Sequence, residues 1–203
     1  DQFFLSANYA KQRVILLGSD PGVTAQLNGG THMPFEDIAR MRQIPDLVVI
    51  DPSDAQSCYE LVRQAYESGH SAYIRFRRKG ITHRYKANRR KITLGKGIVL
   101  KKGTDIAIFA TGETMVGEAE KAVEELAKKG ISAALVDLHT IKPLDEETIL
   151  SYNNKVKAIV TAEEHFTEGG LGSAVAECVV KHHPVPMELV GIPDRFGESG
   201  DPE

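Results

Sequence analysis

Five consecutive residues, Asn28-Gly29-Gly30-Thr31-His32, set an imidazole beside a pair of glycines just ahead of the run Phe35-Glu36-Asp37-Ile38-Ala39-Arg40-Met41-Arg42. Adjacent glycines open backbone conformations that other residues avoid, and they let a ligand approach the main chain closely. An imidazole at such a loop-to-helix junction suits proton transfer or a hydrogen bond to a substrate hydroxyl, because it titrates near neutral pH and its two nitrogens can take different roles. The structural alternative is a histidine that only caps the helix behind it.

Other groupings carry weaker chemistry. Arg75, Arg77, Arg78 and Lys79 cluster at the end of the alternating run Ala72-Tyr73-Ile74-Arg75-Phe76, and a guanidinium matches phosphate oxygens as a bidentate fork; a solvated cluster is the alternative. Gly169-Gly170-Leu171-Gly172-Ser173 at a helix start would suit an anion, held by backbone amides and the helix dipole. It lacks the full dinucleotide pattern, so close packing is the better explanation. Glu163-Glu164-His165 invites a metal reading, but three ligands on one strand end rarely converge, and an interface or loop cluster is expected. Thr111 and Glu113 fall at the carboxyl end of a strand, where α/β folds place ligands. Cys58 and Cys178 lie far apart without metal-ligand spacing, which predicts reduced, buried thiols.

The elements that must position these residues alternate as strand and helix. Strands are expected at Val14 to Leu17, Leu47 to Ile50 and Ala72 to Phe76. Helices are expected from about Phe35 to Arg42 and from a cap at Ser53 or Asp54 to about Ser68. From Arg77 to Lys102 the chain turns basic and glycine-rich, with an edge strand near Gly97-Ile98-Val99-Leu100. A second series follows: strand Asp105 to Ala110, helix Met115 to Lys129 stopped by Gly130, strand Ala133 to Val136, a helix opening at Leu144-Asp145-Glu146-Glu147, strand Ala158 to Thr161, helix Ala174 to Val180 and strand Met187 to Val190. Such alternation implies parallel sheets with helices on their faces. The expected fold is therefore α/β, with two parallel-sheet, three-layer domains at 1–80 and 97–203 joined by a basic connector at 81–96.

With 203 residues, 41% of them apolar, the chain can bury a core of ordinary size. A net charge of −3 gives no reason to expect nucleic acid or an anionic membrane surface as partner, and small soluble metabolites fit better. No apolar run approaches bilayer length, and Asp1-Gln2-Phe3-Phe4 has no basic leader pattern, so a cytoplasmic location is expected.

Gly-x-Thr-His followed by Glu-Asp-Ile-Ala-x-Met-Arg closely resembles the pyrimidine-domain signature of transketolases, which use thiamine diphosphate. The resemblance continues through Arg42-Gln43-Ile44-Pro45-Asp46-Leu47 and Val49-Ile50-Asp51-Pro52-Ser53-Asp54-Ala55. At the far end, Asp194-Arg195-Phe196-Gly197-Glu198-Ser199-Gly200 looks like a segment of the family's C-terminal domain. The resemblance gives His32 the role of handling substrate hydroxyls and protons beside the cofactor's thiazolium. It gives Arg78, or Arg77 if the register slips by one, the grip on the substrate phosphate. Asn28 stands where many transketolases have an aspartate that contacts the sugar, and Asp20 stands where many have a second active-site histidine. Both are taken as substrate-binding positions, and both departures bear on substrate preference.

The resemblance also implies what must come from elsewhere. The glutamate that faces the aminopyrimidine and the aromatic residues that stack on it are expected upstream of Asp1. The magnesium and diphosphate site is expected in a partner domain, since no segment here resembles it and no metal ligands are expected from this chain. The implied partners are the N-terminal transketolase section or subunit, in a homodimer or heterotetramer, and sugar phosphates as substrates. The implied reaction is ketol transfer, with this chain inactive alone. The rivals are 1-deoxyxylulose-5-phosphate synthase, a 2-oxoacid dehydrogenase beta-type subunit and, in another class, a non-catalytic dimerisation or regulatory module.

Overall fold

The computed structural model of the chain describes residues 1–78, 82–86 and 91–200, and of Gln26 and Leu27 only the backbone. Lys79 of the basic cluster and part of the expected connector lie outside the described residues.

The first sheet contains β1 (Ile15–Ser19), β2 (Val48–Ile50) and β3 (Ala72–Phe76), with α1 (Asp37–Arg42) and α2 (Ala55–Glu67) between them. The second is built from β4 (Ile98–Lys101), β5 (Ile106–Ala110), β6 (Ala133–Asp137), β8 (Ala158–Phe166) and β9 (Met187–Ile192), with α3 (Glu113–Lys128), α4 (Glu146–Asn153) and α5 (Leu171–His182). Its order is β4-β6-β5-β8-β9, parallel except where β4 runs antiparallel to β6. These are the α/β sheets expected from the alternation, each with one antiparallel edge.

One strand crosses over. β7 (Thr140–Lys142) follows β6 almost at once, leaves the second sheet and pairs antiparallel with β2, giving the first sheet the order β1-β3-β2-β7. The Lys142 ammonium then donates to the carbonyls of Arg42 at 3.0 Å and Ile44 at 2.6 Å. The core follows the same path. Ile38, Leu47, Val49 and Tyr73 of the first unit share one buried cluster with Phe109, Val136, Leu138, Ile141, Ile159, Leu171 and Val175.

Local signals explain most boundaries. Asp54 caps α2, accepting from the Ser57 amide at 2.7 Å while the Ser57 hydroxyl accepts from the Asp54 amide at 3.0 Å, and Leu61 and Ala65 turn that helix inward. Ser53, the other expected cap, donates its hydroxyl to Asp137 instead. α1 begins at Asp37, two residues later than expected, because Phe35 joins a small buried cluster with Ala25 and Met33. The described parts of the connector are packed: Tyr85 and Ile92 are buried, and the Tyr85 hydroxyl donates to Asp137 Oδ2 at 2.7 Å. Cys178 is buried as expected, whereas Cys58 is only half-buried because it faces a cleft beside Tyr59 and Phe76; both thiols are free.

Candidate functional site

β1 ends at Ser19, and Asp20 takes a left-handed conformation, φ 54°, with its amide donating to Phe76 O at 2.8 Å. Aspartate is among the few non-glycine residues that adopt this conformation readily. The turn aims its carboxylate at the end of β3. Asp20 Oδ1 accepts from the Arg78 amide at 3.1 Å, and Oδ2 takes both Nε and Nη2 of the Arg78 guanidinium. Two of the expected site residues thus form an ion pair, with the Asp20 side chain mostly covered and that of Arg78 62% exposed.

From Asp20 the chain passes through tight helical turns at Gly22–Asn28 and Gly30–His32. Asn28, Thr31 and His32 are exposed, and His32 Nδ1 lies 3.0 Å from the Thr31 hydroxyl. His32 does not cap α1, whose N-cap is Glu36.

The second unit shapes this loop at three places. Glu164 of β8 accepts from the Thr24 amide at 3.1 Å and packs under Gly22, whose φ is +57°. Phe166 donates its amide to Phe35 O at 2.8 Å. The C-terminal run presses on the glycines themselves: a Cβ on Gly30 would run into Gly197 O, and one on Gly29 would meet Ser199 Oγ at 2.6 Å. The histidine turn and the Asp194-to-Gly200 segment, distant in sequence, are in contact.

The arginine cluster divides three ways. Arg77 is half-buried and lines a cleft with Pro52, Phe76 and Glu113. Arg75 is fully buried. Its Nη1 donates to Asp51 Oδ2 at 2.9 Å, its Nη2 donates to Glu164 O at 2.9 Å, and its Nε lies 3.1 Å from Asp37 Oδ2. The Tyr73 hydroxyl donates to that same Asp37 oxygen at 2.6 Å. Burial opposes the Arg75 charge, and Asp51 and Asp37 outweigh it, so its pKa lies above the ordinary value. Burial pushes Asp51 up, with Arg75 acting against the shift. The alternation along β3 gives no sequence sign that Arg75 turns inward.

The remaining candidates are taken up in structure. Glu163 accepts from the amides of Leu171 at 2.6 Å and Gly172 at 2.8 Å, so a carboxylate of the chain itself occupies the anion position at the start of α5. Burial pushes Glu163 and Glu164 each up to about 7. A Cβ on Gly172 would meet Leu189 Cδ2 at 2.7 Å, the close packing expected of that glycine turn. His165 Nε2 accepts from the Ala39 amide at 3.2 Å, and its Nδ1 faces Phe166 O at 2.7 Å, an arrangement that fits neutral imidazole. Burial lowers its pKa accordingly. Thr111 donates its hydroxyl to Asp51 O at 3.2 Å, and Glu113 accepts from the Thr82 amide at 2.5 Å. Among the described residues no group of His, Cys, Asp and Glu is placed to hold a metal ion. The carboxylates nearest the loop are already committed to amides and to Arg75.

Two laced α/β units define the class of a two-domain α/β protein, with an imidazole and a guanidinium exposed beyond the carboxyl ends of β1 and β3. Comparison with known proteins supplies the family. Residues 1–82 match the family model described as the transketolase pyrimidine binding domain, and residues 95–203 match that of the transketolase C-terminal domain. The chain belongs to the transketolase family.

It is 46% identical over 200 residues to a 6-deoxy-6-sulfo-D-fructose transketolase subunit from Clostridium sp. (strain MSTE9), covering 98% of this chain and 62% of that protein. A subunit of an apulose-4-phosphate transketolase from Phocaeicola vulgatus is 36% identical over 96% of this chain and 62% of its own length. A solved structure described as a split gene transketolase, inactive beta4 tetramer, superposes with a TM-score of 0.88 at 36% identity, covering 97% of this chain and 63% of that one. The chain therefore spans less than two thirds of each of these relatives.

Proposed function

We propose that this chain is the C-terminal section of a thiamine-diphosphate-dependent transketolase that moves a two-carbon ketol unit between sugars with an anionic terminus, such as sugar phosphates. The observation that carries this reading is the contact between Gly29-Gly30 and Gly197-Ser199, which fixes the turn that exposes His32. His32 would hydrogen-bond a substrate hydroxyl and hold or release a proton at Nε2, since Nδ1 faces Thr31. Arg78 would hold the anionic end of the sugar. Asn28, exposed one residue before the glycines, would contact a sugar hydroxyl.

Thiamine diphosphate, when bound, supplies the electron sink for ketol chemistry. The glutamate, aromatic platform and magnesium site it requires would come from sequence outside this chain, and activity is assigned to the joined assembly. The relative described as an inactive tetramer supports that division of labour. Relatives described as transketolase subunits and as a tetramer support an association as a homodimer or heterotetramer. No helix among the described residues is long and apolar enough to cross a membrane. A cytoplasmic location belongs to the same reading, since charged sugar phosphates do not readily leave water for a bilayer.

The test is ketol transfer from xylulose 5-phosphate to ribose 5-phosphate by this section combined with its N-terminal partner, thiamine diphosphate and magnesium. Activity that requires both parts is the expected result. A folded assembly that binds the cofactor but decarboxylates pyruvate instead would favour the reading as 1-deoxyxylulose-5-phosphate synthase, one of which, from Caldanaerobacter subterraneus subsp. tengcongensis, is 37% identical over 205 residues. An assembly that binds no cofactor would favour a non-catalytic module.

A further inference from the structure

We propose that Asp20 selects the anion that Arg78 accepts, favouring a singly charged terminus such as a sulfonate over a doubly charged phosphate. The proposal rests on the reading of Arg78 as the grip on the substrate's anionic end.

The geometry begins with the pairing itself. Asp20 occupies the Nε and Nη2 edge of the guanidinium and also accepts from the Arg78 amide. A guanidinium has five N–H donors in a fixed fork, so the outer edge bearing Nη1 remains for a second oxyanion. The Asp20 carboxylate is held in place by the Arg78 amide, from which Oδ1 accepts at 3.1 Å while Oδ2 pairs with the guanidinium. A substrate anion therefore meets a guanidinium that already carries a carboxylate, a pair of zero net charge.

Sulfonate and phosphate each present three oxygens on a tetrahedral centre, so shape separates them poorly. Charge separates them better, since a phosphate monoester carries about −1.5 to −2 near neutral pH and a sulfonate carries a single charge. Attraction to the site rises in proportion to the ligand's charge, whereas the cost of stripping its water rises with the square of that charge. A strong, unpaired cation favours the dianion. A cation whose field is largely cancelled by an adjacent carboxylate lets the desolvation cost decide, and the monoanion gains.

The test uses the assembly of this section with its N-terminal partner and measures kcat and KM for a ketose bearing a terminal phosphate and for one bearing a terminal sulfonate. Asp20→Asn keeps the backbone conformation and an acceptor for the Arg78 amide while removing the charge. It is expected to lower KM for the phosphate substrate about five- to tenfold relative to the sulfonate substrate, with kcat nearly unchanged. Asp20→Gly, which adopts the same φ without strain, is expected to shift the ratio in the same direction. An unchanged ratio, with both substrates weakened equally, would overturn the proposal and leave Asp20 a structural turn residue. A wild-type assembly that transfers ketol from neither substrate would overturn the transketolase reading and the proposal with it.

Discussion

Arg75 and Asp51 meet at 2.9 Å where both units close over them, a guanidinium and a carboxylate taken fully out of water. The pair joins β3 to the residue that follows β2, and the same guanidinium reaches the backbone of β8 through Glu164 O at 2.9 Å. It is the charged centre of the contact between the two sheets. Removing one member of a buried pair leaves the other charged and unpaired, which costs more than the pair contributes.

Arg75→Met is accordingly expected to destabilise the chain by about 3–5 kcal/mol, because it strands Asp51 and Asp37. Urea unfolding would measure the change. A loss below about 1 kcal/mol would mean that the pair is replaceable by packing.

Asp137 gives a pH prediction with a defined sign. Burial pushes it up to about 6 from an ordinary value of 3.8, against the opposing bonds from Ser53 and Tyr85. Between those values the folded chain holds the proton and the unfolded chain has released it. Its contribution to stability is therefore complete below its unfolded value and lost as the pH rises through about 6. Relative to Asp137→Asn, the wild type should lose about 3 kcal/mol between pH about 4 and about 7. Unfolding free energies of the two proteins at both ends of that range check the slope, and parallel profiles would reject it.

His32→Ala should fold normally, since the side chain is exposed and among the described residues bonds to its neighbour Thr31. In the joined assembly it should lower kcat by about a hundredfold, the scale of a lost proton-transfer group. Full activity in the variant would remove the catalytic reading of the loop.

Gly30→Ala should act through the C-terminal segment, since the added carbon would run into Gly197 O, while Gly200→Ala finds open space. The first substitution is expected to cost about 1–3 kcal/mol and to speed proteolysis beyond Ile192, and the second to change neither. Equal behaviour of the two variants would show that the contact does not hold the loop.

Particular residues show what the sequence can and cannot reveal. β3 is legible at Ala72–Phe76 because its alternation is strict and local. The residue pattern stops β8 at Thr161, yet the strand runs to Phe166, because Glu163, Glu164 and His165 are poor strand residues until α5, Thr24 and Ala39 supply partners for them. β7 is invisible in the pattern, since three residues directly after another strand carry no period of their own, and only β2 makes them a strand. The exposed turn that carries His32 is legible through its glycines. The pairing of Asp20 with Arg78 is not, because it spans 58 positions and depends on a left-handed turn that aspartate does not announce.

The crossing of β7 has a consequence for how such a chain can be divided or exchanged. A break in the connector would leave two pieces still laced together, with Thr140–Lys142 seated beside β2. Recombination that swapped one unit for that of a distant relative would pass on a sheet without its last strand, or a strand without its sheet. The two halves are heritable only as a matched set.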